Sequence, residues 1–408
     1  MLPLEARALF NGGGVPEALD AFSAAAPMSN AAPSATVMPL GSVPQLSSNP
    51  GAAVKVYLDF VGAAGQKWGS FTTTTTPAYD TDGDATTFSQ TEIDQVREIW
   101  SRVAEKYSPF DVDVTTVDPG TYAYNQVARM VIGGDGAWSG GTYGGYSYVG
   151  GFTGETSNTG WIFAKNLGKG FPKYVAEATA HEAGHLFGLV HQSSYDTDGT
   201  KTDEYNHGSS ATAPIMGYSY FADRGLWWRG PSSNGAASTQ DDLFGITAVN
   251  GFGYRADDHG STAALADVLE VIDGTSAHGA GIIERMTDVD YFRFSSTGGL
   301  VQLTADVAPY GPMLDLALSL VDSGGNVLAF ADTASLGETV SALVPAGDYY
   351  LAVSSHGGYG DIGQYTISGT VVPEPVAQAV LLLMGAGWLL QRRRREMTFA
   401  HLNLIQDD

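Results

Sequence analysis

The stretch His181-Glu182-Ala183-Gly184-His185-Leu186-Phe187-Gly188-Leu189-Val190-His191 restricts what this chain can fold into more than any other. At about 3.6 residues per turn, His181 and His185 fall one turn apart on the same face of a helix. Two imidazoles in that relation can hold one Zn²⁺, and Glu182 beside them is placed to carry a proton. Gly188 is expected to end the helix, because glycine takes the left-handed conformation at little steric cost. The chain then turns back and offers His191 as a third nitrogen ligand. Three protein ligands leave a fourth position for water, which is how catalytic zinc differs from structural zinc. A packed helix without metal is the other reading of two histidines and a glutamate. The added glycine and third histidine weigh against it.

The bulk numbers set limits on the rest. A chain of 408 residues has room for two or three domains, each with a sizeable core. Its formal net charge of −24 argues against a nucleic-acid partner and is compatible with bound Ca²⁺. It has no cysteine, which excludes disulfides, thiolate metal sites and a cysteine-based latency switch.

The eleven-residue signature resembles that of the metzincin metalloproteases, whose second hallmark is a Met-turn. Pro214-Ile215-Met216-Gly217-Tyr218 resembles that turn, and Tyr218 matches a tyrosine of astacin-like and serralysin-like members. The resemblance implies an α+β catalytic domain, a twisted mixed sheet carrying an active-site helix. It implies Zn²⁺ on His181, His185 and His191, Glu182 as general base, and Met216 as an apolar floor beneath the histidines. For Tyr218 it implies zinc ligation or stabilisation of the oxyanion, with aromatic packing as the alternative. The activity implied is hydrolysis of peptide bonds in a protein or peptide substrate.

Along the chain, residues 1–50 are rich in Ala, Pro, Ser and Asn without a sustained period, as in a tail or pro-segment. No basic stretch followed by an apolar run marks a secretory signal there. Leu4 to Phe10 loosely resembles an LEPR-type motif of bacterial surface proteins, with Ala6 where proline is expected. Residues 51–255 are expected to form the catalytic domain, with strands at 54–60, 110–117 and 127–132. Ser89-Gln90-Thr91-Glu92 reads as a capping box that opens a helix burying Ile93, Val96, Trp100, Val103 and Tyr107. Asp80, Asp82 and Asp84 make an acidic turn that either holds Ca²⁺ or is simply solvated; it lacks the full EF-hand spacing. The same two readings apply to Asp196-Thr197-Asp198-Gly199 with Asp203-Glu204. Gly144 to Phe152 suits an edge strand with its flanking loops, for which the metzincin resemblance implies pairing with an extended substrate; a plain hairpin is the alternative. Pro172 starts the active-site helix. Ser238 or Thr239 is expected to cap a last helix that turns Leu243, Phe244, Ile246 and Val249 inward.

Residues 256–372 alternate at period two and are expected to be all β. Asp288 to Phe294 and the strands after it resemble the bacterial pre-peptidase C-terminal domain, a small β-sandwich. In 373–408, Val372-Pro373-Glu374-Pro375 precedes a short apolar run and Arg392 to Arg395. This resembles a PEP-CTERM sorting signal, with Glu396 to Asp408 as an unusual extension and an ordinary tail anchor as the alternative. The resemblance implies an exosortase-type partner, a tail inserted in the membrane before processing, and delivery to the envelope or exterior of a Gram-negative bacterium. A rival functional reading is a surface adhesion protein with an inactive zinc domain, motivated by the tail and by exposed aromatics around Tyr143, Tyr146 and Tyr148.

Overall fold

The computed structural model describes residues 37–154 and 156–371. The stretch resembling an LEPR motif and the Pro-Glu-Pro tail both lie outside the described residues. Among the described residues no helix is long and apolar enough to cross a membrane.

The first region is built on a five-stranded sheet. Its elements in chain order are β1 (Val54–Asp59), α1 (Gln90–Tyr107), β2 (Val112–Thr115), β3 (Val127–Ile132), β4 (Gly145–Tyr146), β5 (Thr159–Ile162) and α2 (Pro172–Leu186). The strand order is β2-β1-β3-β5-β4, parallel throughout except for β4, which runs antiparallel at one edge. β1 and β3 are mostly apolar and buried along nearly their whole length, as suits strands covered on both faces, with Arg129 of β3 paired to the buried Asp59 of β1. Ser89 and Glu92 close the expected capping box, each side chain accepting the other's backbone N–H. Ile99, rather than Trp100, completes the buried stripe of α1; the Trp100 indole sits at its margin and donates to the Val114 carbonyl.

After α2 come β6 (Thr212–Pro214), β7 (Arg224–Leu226), which pairs with β6 in parallel, and α3 (Asp242–Val249). The cap of α3 differs from expectation. The Asp241 side chain accepts from the Phe244 amide, so the helix starts later than a Ser238 or Thr239 cap requires. That rotates Phe244 and Val249 outward and leaves Leu243 and Ile246 in the core.

The aromatics of the β4 segment also correct the sequence reading. Tyr146 and Tyr148 are buried, packed with Trp68 and Trp161 in a small cluster of their own. Tyr143 leans on Tyr146, ring centres 5.6 Å apart. The edge strand proper is only Gly145–Tyr146. Tyr146 and Tyr148 therefore face inward, while Tyr143 stays partly exposed at the margin of the cluster.

The second region is β-rich. Eight strands between Asp267 and Val371 join one hydrogen-bonded sheet, antiparallel in every pairing but one. Two of them are long: β8 (Val289–Val307) and β9 (Glu338–Ser355). Residues 288–294 and 301–307, which alternate as two strands in sequence, fall almost entirely within the single strand β8. Its buried positions are Asp290, Phe292, Phe294 and Ser296 on one side of Gly298-Gly299, and Val301, Leu303 and Ala305 on the other. The inward face therefore changes from even to odd positions at a glycine pair with positive φ, a conformation open to glycine at little cost.

The two regions share one apolar core, to which Met313, Leu314 and Ile362 of the second region contribute fully buried side chains. Polar contacts reinforce the junction. Glu105, at the end of α1, accepts from the Met313 amide and from both the backbone and side-chain nitrogens of Gln364. Arg224 of β7 donates to the Met313 carbonyl and to Asp361. Tyr359 donates to Asp241 and accepts from the Leu243 amide.

Candidate metal centre

α2 carries the first two histidines. Pro172 occupies its first turn, where a missing N–H costs nothing. At its other end Gly188 has φ +96°. The Gly188 amide bonds the His185 carbonyl and the Leu189 amide bonds the Gly184 carbonyl, the paired reverse bonds of a Schellman stop. That stop turns the chain so that His191 meets His185, with the two Nε2 atoms 3.1 Å apart. All three histidines are at most 2% exposed. One ring nitrogen from each lies within 4.8 Å of the others.

The outer ring nitrogens decide what this cluster can bind. His181 Nδ1 lies 2.7 Å from the Ile215 carbonyl, His185 Nδ1 lies 2.8 Å from the Leu189 carbonyl, and His191 Nδ1 lies 2.8 Å from Glu204 Oε1. Carbonyls and carboxylates only accept, so each Nδ1 must carry the proton. The three Nε2 atoms are then bare lone pairs pointing at one another, an arrangement that a cation satisfies and that no neutral hydrogen-bonding partner shared by all three would. Burial pushes His181 down to about 3 and His185 well below the usual range, which keeps both rings neutral and ligand-ready. These residues fit a metal ion.

Glu182 is buried beside them, one of its carboxylate oxygens without a hydrogen-bond partner. Burial raises its carboxyl to about 8. It packs against β4 so closely that a Cβ on Gly145 would come within 2.5 Å of it. Met216 lies under α2: a Cβ on Gly184 would meet its sulfur at 2.5 Å. The Gly217 amide closes the turn on the Pro214 carbonyl, and the Met216 carbonyl receives the Gln192 amide, next to His191. The Tyr218 ring is half-buried and packs on His207, ring centres 4.5 Å apart.

A family model described as Metallo-peptidase family M12B Reprolysin-like matches residues 132–225. The matched segment is a minor part of the chain, and it holds the three histidines, Glu182 and Met216. No curated protein matches. Among solved structures, the chain is similar to the pre-peptidase C-terminal domain of a Bacillus anthracis collagenase at 17% identity, covering 22% of this chain and 84% of that one, TM-score 0.19. It is also similar to PliG of Aeromonas hydrophila, a periplasmic inhibitor of g-type lysozyme, at 10% identity over 26% of this chain and 95% of that one, TM-score 0.22. A third similarity is to a β-glucosidase from Paenibacillus barengoltzii, at 17% identity over 28% and 12%, TM-score 0.16. At such scores these likenesses carry no argument.

Two residues join the centre without a sequence pattern that assigns them to it. Glu204, in what reads as an acidic loop for calcium or solvent, bonds His191 with one oxygen and Lys201 with the other. Burial works to raise its carboxyl, but those two bonds outweigh it and hold the group down at about 2. The Tyr205 ring lies 4.5 Å from His191 and 6.2 Å from His181. An acid following the third histidine is the one available hint of Glu204, and a separation of 13 residues hides it.

The acidic turns divide differently. Asp80 and Asp82 come together with Glu92, not with Asp84. Asp80 already accepts from two backbone amides, and Asp84 from Thr86 and Thr87. In the second region Asp257, Asp258 and Glu284, and Asp257, Asp288 and Asp290, each lie close enough to share an ion.

Proposed function

We propose that the chain is a zinc-dependent endopeptidase. The observation that carries the reading is the fixed tautomer of all three histidines, which turns three bare nitrogens onto one point beside a buried carboxylate. Zinc held there supplies Lewis acidity toward a peptide carbonyl and lowers the pKa of water. Glu182 takes the proton of the attacking water and returns it to the leaving amine nitrogen. Glu182, raised to about 8 by burial, would be drawn toward its ionised, basic form by a dication held at the histidines. Tyr218 donates its hydroxyl to the developing oxyanion, a role taken from the metzincin resemblance. The β4 edge offers backbone groups to an extended peptide. The tail directs export through an exosortase-type enzyme to the envelope or exterior, a reading supported by its Pro-Glu-Pro, apolar run and arginine cluster.

The decisive test is Glu182→Gln. Purified variant protein should keep zinc, measured by elemental analysis, while kcat/KM on a peptide library falls by about 10²- to 10⁴-fold. Unchanged cleavage with zinc still present would sink the proposed role. The adhesion reading loses most of its aromatic motivation, since Tyr146 and Tyr148 are interior and only Tyr143 is partly exposed.

A further inference from the structure

Two adjacent buried residues at the end of α1, Glu105 and Lys106, have no part in the chemistry above. Lys106 is 1% exposed. An ammonium has three protons to give, and this one meets three acceptors from three separate parts of the molecule. It donates to the Gly225 carbonyl of β7 at 2.8 Å and to the Gly311 carbonyl of the β-rich region at 3.0 Å. It pairs with Glu177 of α2 at 3.5 Å.

Each of the first-region acceptors leads to the metal centre by a short path. Glu177 stands four residues before His181, one turn back on the same face of α2. Its other oxygen accepts from the hydroxyl of Ser219, the neighbour of Tyr218. A Cβ on Gly225 would collide with that oxygen, so β7 and the carboxylate are in direct contact. On the second route, Leu226 of β7 accepts the Ile215 amide, and the Ile215 carbonyl is what holds His181 Nδ1. The third acceptor is different in kind. Gly311 belongs to the loop whose Met313 amide is bound by Glu105 and whose Met313 carbonyl is bound by Arg224.

We propose that Lys106 is a positioning residue for the histidine centre and that the Gly311 loop of the β-rich region completes its binding shell. The C-terminal region is then a working part of the catalytic unit and not a separable module. Without the loop, a buried ammonium loses one of three acceptors and the Lys106–Glu177 pair is left under-satisfied. The pair can recover only by shifting, and a shift moves α2, β7 or both. The inference rests on the peptidase reading for its kinetic arm, while its spectroscopic arm needs only metal binding.

The test uses the full chain loaded with Co²⁺, whose visible bands report ligand geometry. Lys106→Met should move those bands and lower kcat by about 10- to 100-fold, as loss of outer-shell support does, with KM within about twofold. Because that variant leaves Glu177 buried and unpaired, a milder one accompanies it. Tyr359→Phe with Gln364→Ala loosens the docking from the far side, touching neither α2 nor the turn. It should shift the bands in the same direction by less. A lowered melting temperature with unchanged bands and unchanged kcat in both variants would overturn the proposal. Should Lys106→Met fail to fold, Lys106→Arg, which keeps the charge but not the three-way geometry, takes its place in the same readouts, and unchanged bands with unchanged kcat again overturn the proposal. A parent protein that binds Co²⁺ but cuts nothing removes the peptidase reading, and the band shift by itself then decides the role of Lys106.

Discussion

The molecule buries titratable groups in two places, and it treats them in opposite ways. At the histidine centre every outward-facing nitrogen has an acceptor, so that the unsatisfied atoms are confined to one point facing inward. In the β-rich region Glu284 and Asp290 are fully buried, and both Glu284 oxygens and one of Asp290 find no hydrogen-bond partner. Asp290 does accept from the Tyr365 hydroxyl. Burial and the neighbouring carboxylates push Glu284 up to about 9 and Asp290 up to about 8. Burial alone, then, does not fix a set of donors. Partners on the outer side decide which lone pairs are left over and where they point.

That difference is broken most directly at Glu204, the one outer partner that is a side chain. Glu204→Ala removes the acceptor that fixes His191, freeing its ring to rotate or change tautomer. Zinc affinity, read by competition with a chromophoric chelator, should fall about 10- to 100-fold. Glu204→Gln keeps an oxygen for the Nδ1 proton and should lose less. Equal affinity in all three proteins would mean that the ring is held by its surroundings, Tyr205 foremost, and that an outer acceptor is not what fixes it.

A smaller effect is expected beneath the centre. Gly184→Ala places a methyl 2.5 Å from the Met216 sulfur. Either the methionine or α2 gives way, at a cost of about 1–3 kcal/mol for overpacking, measured by urea unfolding. Gly184→Ala with Met216→Ala should recover part of the loss. No recovery would show that the strain lies elsewhere along α2.

What the chain displays before it folds depends on how far apart the partners lie. The three ligands, the helix stop and the capping box at Ser89 are local patterns, closed within a dozen residues, and a sequence displays them directly. Glu204 sits in a loop of ordinary acidic composition and gains its meaning only when that loop folds back against His191. Lys106 and Glu177 look like surface charges on two helices; the shell around them draws on the β-rich region, 205 residues from Lys106 at Gly311. The same cause misdirects the reading of Tyr146 and Tyr148, whose neighbour Trp68 lies far back in the chain. β8 reads as two strands because its glycine pair flips the inward face midway, a change of phase that periodicity alone reports as an ending.

The weakest effect, and the one that sharpens the comparison from the other side, concerns pH. A carboxyl with a raised folded-state value holds its proton where the unfolded chain has already released one. Folding therefore binds protons between the ordinary value and the folded value, and stability falls as pH rises through that window. For Glu284 the window runs from 4.5 to about 9, and for Asp290 from 3.8 to about 8. Below it their contribution is fully present; above it the contribution is lost. Glu284→Gln imitates the protonated form at every pH. Urea midpoints measured from pH ~5 to ~9 should decline less steeply in the variant than in the parent, with the two curves meeting near the acid end. The gap between the two curves should widen steadily toward alkaline pH. Parallel curves would mean that Glu284 is ionised in the folded protein across the range, and that something in the cluster already answers its charge as Glu204 answers His191.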